Sequence, residues 1–168
     1  MKNVMGTGSR SLVVSLDRKD VYGIVETRIL EIAAGEDGGI VLFSGLAEGF
    51  DEMIAKIGIR NGIDVVGFLP NLGYPDYYWR RNSLTGYNRI HHYREMFDQL
   101  TDCVVCCSSI YEDGEHSNFV RNRIMVAAAD HALVYNPKST GTAHAVSHLR
   151  ANNVPFEVYP FIVQKELF

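Results

Sequence analysis

No run of the chain approaches the ~18 consecutive apolar residues of a membrane-spanning helix, so the sequence offers no membrane anchor. Its opening, MKNVMGTGSR, lacks the charged-then-apolar layout of a secretion signal, and a cytoplasmic chain is expected. Positive charge is scarce as well: 16 Lys and Arg stand against 20 Asp and Glu, a formal net charge of −4. That excludes a whole-molecule field favouring nucleic acid and leaves room only for a local patch. Cysteine is confined to one stretch, DCVVCCSS, with Cys103, Cys106 and Cys107. Val104 and Val105 mark that stretch as a buried strand, on which Cys103 and Cys106 point to opposite faces. One metal cannot take both, so reduced thiols are expected and no metal site. Repeats and low-complexity segments are missing, and 168 residues suit a single domain spanning 1–168.

What the chain does have is alternation. Short apolar runs (Val4-Met5, Ile40–Phe43, Asp64–Leu69, Cys103–Cys107, Ala132–Asn136, Pro155–Pro160) are separated by segments of helical period at about 19–34, 50–61, 87–100, 117–129 and 141–151. Strand–helix alternation of this kind implies an α/β sandwich with a mainly parallel sheet and helices on both faces. In such sheets ligands bind beyond the carboxyl ends of the strands, where strand order reverses.

Polar, glycine-rich bends sit at those ends. Gly6-Thr7-Gly8-Ser9-Arg10 follows the first run, Ser44-Gly45 to Asp51 the second, and Ser139-Thr140-Gly141-Thr142 the strand ending near Asn136. Glycine admits close backbone approach, and a helix N-terminus offers unpaired N–H groups with partial positive charge; phosphate suits both. Arg10 and Lys138 add full charges. The first bend has no Gly-Lys-Ser/Thr ending and lacks the third glycine of G-x-G-x-x-G, so neither motif is complete. Asp51, at a helix start, answers either to the helix dipole or to a ribose hydroxyl. Farther on, Asn118, Arg121, Asn122 and Met125 share a helical stripe; Arg121 or Arg123 is expected to reach a phosphate, with Asn122 a further candidate contact, against a competing reading as a solvated polar face, and Ser117 is the expected N-cap. Residues 74–97 interleave aromatics and arginines; Tyr78, Trp79, Arg80 and Arg81 there are candidates for base stacking or nucleic-acid contact, with core or oligomer surface as the competing reading.

GTGSR, SGLAEGFDEMIA, RNRIMVAAADHALVYN and STGTAHAV, in that order, resemble the SLOG superfamily of Rossmann-like nucleotide-binding domains, which includes the DNA-processing protein DprA and the LOG phosphoribohydrolases. Ser44-Gly45-Leu46-Ala47 with Gly49 and Asp51, and Arg121-Asn122-Arg123-Ile124, are similar to the DprA motifs. The resemblance implies a Rossmann-like α/β domain, a homo-oligomer, and a nucleotide or nucleotide-derived small molecule as ligand, with no cofactor. The alternatives are DprA-like binding of single-stranded DNA and LOG-like hydrolysis of a nucleoside monophosphate. Two departures bear on these. Glu48 stands where DprA usually carries a basic residue, and is expected to weaken anion binding unless it contacts ribose or solvent. Ala145 stands where the LOG pattern places its catalytic glutamate, and a methyl group handles no proton, so a binding protein is favoured over an enzyme. Gly8→Val is expected to abolish binding with the fold intact.

Overall fold

The computed structural model describes residues 1–10, 12, 18–80 and 89–159, without the side chains of Tyr77 and Tyr78. Its main sheet has six parallel strands: β1 (Lys2–Gly8), β2 (Ile40–Ser44), β3 (Asp64–Leu69), β4 (Asp102–Val105), β7 (His131–Tyr135) and β8 (Phe156–Tyr159). They lie in the order β4-β3-β2-β1-β7-β8, so strand order reverses between β1 and β7. The helices are α1 (Arg18–Ala34), α2 (Phe50–Arg60), α3 (Ile90–Phe97), α4 (Ser117–Ala128) and α5 (Thr140–Ala151), with one π-helical turn at Pro75–Arg80.

Alternation along the strands sorts the core into two layers. Val4, Leu42 and Leu133 face one layer with Val25 and Ile29 of α1, Ile54 and Ile57 of α2, and Tyr93 of α3. Met5, Phe43 and Val134 face the other with Met125 of α4 and Val146 and Leu149 of α5. The result is the expected α/β/α sandwich. Cys103 packs on the first layer and Cys106 on the second, as alternation requires.

Three local features differ from the sequence reading. β1 does not stop at Met5 but continues through Gly6, Thr7 and Gly8, which pair with Leu133, Val134 and Tyr135. Close packing explains these glycines: a Cβ on Gly6 would lie 2.2 Å from Ile54 Cγ1, and one on Gly8 2.5 Å from Phe50 Cβ. They let α2 press onto the strand. A hairpin, β5 (Tyr111–Glu112) and β6 (Glu115–His116), precedes α4, turning at Asp113 and Gly114 with φ of 50° and 82°. The Asp-Gly pair was its sequence signal. Finally, the N-cap of α4 is His116, whose Nδ1 accepts from the Asn118 N–H at 3.2 Å. Ser117 is instead the first helical residue, fully buried, its hydroxyl accepting from Asn71 Nδ2 at 2.9 Å.

Candidate functional site

A pocket of about 250 Å³ opens at the carboxyl edge of the sheet, above the reversal between β1 and β7. Each expected bend contributes to its wall. Thr7, Gly8, Ser9 and Arg10 come from the end of β1, Asp51 from α2, Arg121 and Asn122 from α4, and Ser139, Gly141 and Thr142 from the start of α5. Gly6, Ser44, Gly45 and Thr140 do not line it. Ala47, Tyr74 and Asn118 do, and were not among the expected site residues. Asn118 already shared the stripe with Arg121 and Asn122; Tyr74 was hidden among many tyrosines.

The first two bends meet at this rim with the amide hydrogens of Gly8, Ser9 and Gly45 already taken. Gly8 N–H donates to Asp51 Oδ1 at 3.1 Å, and Ser9 N–H to the Tyr135 carbonyl at 3.2 Å. Asp51 also takes the backbone N–H groups of Gly45 and of itself. Its carboxylate therefore occupies the cradle expected to hold phosphate. Ser44 turns inward too, its hydroxyl donating to the Asp51 carbonyl at 2.7 Å and accepting from Leu46 N–H at 3.1 Å. Burial pushes the Asp51 carboxyl up to about 6, against the opposing pull of Arg121 and the backbone donors.

Arg121 is buried where α4 crosses the second bend. Its Nη1 donates to the Gly45 carbonyl at 2.6 Å and its Nε to Asn122 Oδ1 at 3.2 Å. A Cβ on Gly45 would lie 2.5 Å from Arg121 Nη1, so the glycine there makes room for the arginine. Tyr74 is buried beside this group and hydrogen-bonds Arg121; desolvation holds its phenol well above the usual range. Asn122 Nδ2 donates to the Gly141 carbonyl at 3.1 Å, tying α4 to the start of α5.

The third bend is different. Ala143 N–H closes on the Ser139 carbonyl at 2.8 Å, so the N–H groups of Thr140, Gly141 and Thr142 lie ahead of it with no helical acceptor. Ser139 Oγ donates to Thr142 Oγ1 at 2.7 Å, placing two hydroxyls beside those amides. Across the pocket, Asn118 Oδ1 is buried without a hydrogen-bond partner.

Glu48 and the aromatic segment also find their places here. Glu48 touches neither the pocket space nor solvent: it is fully buried, with Arg10 at 3.5 Å and Arg89 at 3.6 Å. Trp79 is no stacking platform. It is fully buried, its Nε1 donates to the Leu46 carbonyl at 3.0 Å, and Arg89 lies over its ring at 5.3 Å. Arg80 is exposed and paired with Asp76 at 2.9 Å; the Tyr78 side chain and Arg81 lie outside the described residues. Ala145 is fully buried in α5, so no proton-handling group stands at that position.

No family model and no curated protein sequence matches the chain. Solved structures do. DNA processing protein A from Helicobacter pylori, studied for its single-stranded DNA binding mode, superposes with a TM-score of 0.65 at 18% identity, over 97% of this chain and 67% of that one. DNA processing protein A from Streptococcus pneumoniae gives 0.66 at 18% identity, over 98% of this chain and 52% of that one; this chain spans about half its length. The molybdenum cofactor binding protein from Rippkaea orientalis gives 0.52 at 18% identity, over 94% and 74%. The fold implied by the sequence resemblance is thus the fold observed. Among the described residues, no helix is long and apolar enough to cross a membrane.

Proposed function

We propose that the chain binds a nucleotide or nucleotide-derived ligand, with a phosphate group seated at the start of α5. The observation that carries this reading is the coincidence of the open N–H groups of Gly141 and Thr142, in the first turn of α5, with a pocket at the strand-order reversal. The Ser139 and Thr142 hydroxyls and the unpartnered Asn118 Oδ1 supply polar contacts around it. Single-stranded DNA, the ligand named for one of the solved structures, is phosphate-bearing, which agrees with a phosphate seat; another is named for a molybdenum cofactor, and the two names do not choose a ligand for this chain. Burial of Trp79 removes one of the candidate stacking residues from the DNA alternative, and Ala145 leaves the hydrolytic one without its glutamate.

The test is mass spectrometry of small molecules released by denaturing the purified protein, followed by titration with the compound found. A phosphorylated compound whose affinity falls about tenfold in Thr142→Val is the expected result. Retention of an unphosphorylated compound, or binding indifferent to Thr142→Val in a folded protein, overturns the reading.

A further inference from the structure

We propose that Glu48 sets the charge selectivity of the pocket: with its carboxylate buried behind Arg10, the site accepts one phosphate-sized anionic group and disfavours chains of two or three phosphates. This rests on the phosphate reading above and adds which ligands that seat rejects.

Each arginine on the pocket wall has a buried carboxylate of its own. Arg10 Nη2 lies 3.5 Å from Glu48 Oε2, and Arg121 lies against Asp51. Arg89 does not relieve Glu48 by itself, because its Nη2 is bound to Glu52 Oε1 at 2.7 Å while its Nη1 is 3.6 Å from Glu48. Lys56 in turn holds Glu52 at 2.6 Å. Among the described residues, Arg10, Arg89, Arg121 and Lys56 thus face Glu48, Asp51 and Glu52, a surplus of a single positive charge within this set. Glu48 and Glu52 are fully buried, so water screens them poorly and their fields act on anything in the pocket. A second or third phosphate extending from α5 across the pocket moves toward Arg10 and meets an arginine already neutralised. Among the described residues, the α5 start borders the pocket with backbone donors and has no acidic residue in its first turn, a seat suited to one phosphate.

The experiment is calorimetric titration of the full chain with inorganic phosphate, pyrophosphate and tripolyphosphate at about pH 7.5, in wild type, Glu48→Gln and Glu52→Gln. In wild type, affinity is expected not to rise along the series. Glu48→Gln is expected to gain about tenfold for tripolyphosphate and less than about twofold for phosphate. Glu52→Gln removes the same formal charge from the same network but leaves Glu48 behind Arg10, and is expected to shift tripolyphosphate affinity by less than Glu48→Gln does. Wild type binding tripolyphosphate about tenfold more tightly than phosphate overturns the proposal, as does an equal shift in both variants. The wild-type series decides alone if Glu48→Gln fails to fold. Binding of none of the three anions overturns the phosphate reading as well; binding of phosphate with the order reversed overturns only the role of Glu48.

Discussion

The starts of α2 and α5 flank one pocket and are built from one grammar: a parallel strand, a bend with glycine and hydroxyl residues, then a helix. They end in opposite states. At α2 the protein supplies its own anion, and Asp51 gathers the amides of Gly8 and Gly45 beside Arg121. At α5 no carboxylate is present in the first turn, and Gly141 and Thr142, whose N–H groups have no helical acceptor, line the pocket beside two hydroxyls. The difference shows that glycine-rich bends on one edge need not form one binding surface. One can be scaffold, satisfied internally, and its neighbour the seat for a ligand.

Removing the internal anion is the strongest way to break this contrast. Asp51→Ala leaves the Gly8 and Gly45 amides and Arg121 without their buried partner. Stripping one side of such a buried set costs about 3–5 kcal/mol, which urea unfolding measures directly. Thr142→Val at the other helix is expected to cost about 1 kcal/mol and to act mainly on binding. Equal losses of stability at the two sites would mean that α5 is as much scaffold as α2.

Proton linkage gives the next largest effect. Burial raises the Asp51 carboxyl from 3.8 in the unfolded chain to about 6 in the fold. Between those values the fold holds more protons than the unfolded chain, so this group lowers stability as pH rises, and the loss is complete above about pH 7. Two pH units correspond to about 3 kcal/mol. Glu52 and Glu157, held below the usual range by their basic partners, contribute with the opposite sign. The measurement is therefore the difference between the wild-type and Asp51→Asn stability profiles over about pH 4 to 7. A flat difference would show that Arg121 and the backbone donors fully offset the burial of Asp51.

Much of this architecture was legible in the residues. The spacing of apolar runs gave each strand of the main sheet and each helix, because both faces of a parallel sheet demand continuous apolar runs and covering helices. Placing glycines and hydroxyls after strands brought the right bends to the rim. What the spacing could not reveal is which hydrogen bonds the bends had already made, since Gly8 and Asp51 are 43 residues apart. Nor could composition tell a stacking tryptophan from a core one. Trp79 was drawn inward by the Leu46 carbonyl and by Arg89, neither a sequence neighbour. The pairing of Glu48 was hidden for the same reason: its partners Arg10 and Arg89 come from opposite sides of it in the chain.

The gentlest probe compares two glycines, one in each region. A side chain on Gly8 collides with Phe50, whose Cβ and Cγ lie 2.5 and 2.7 Å from the Cβ position, and Phe50 is itself stacked on Tyr135 and fully buried. Nothing can give way without moving α2, so Gly8→Val is expected to destabilise by about 1–3 kcal/mol through overpacking. The sequence alone suggested a folded protein that had lost its ligand; the packing of Phe50 replaces that expectation. Gly141 stands in the first turn of α5 with nothing within 4 Å of its Cβ position. Gly141→Ala is therefore expected to leave thermal stability unchanged or slightly raised, since alanine is the better helix former. Any effect it has on ligand affinity then reports the α5 seat alone. If Gly141→Ala destabilised the protein as Gly8→Val does, α5 would be packed as tightly as α2, and the contrast between a filled and an open helix start would not survive.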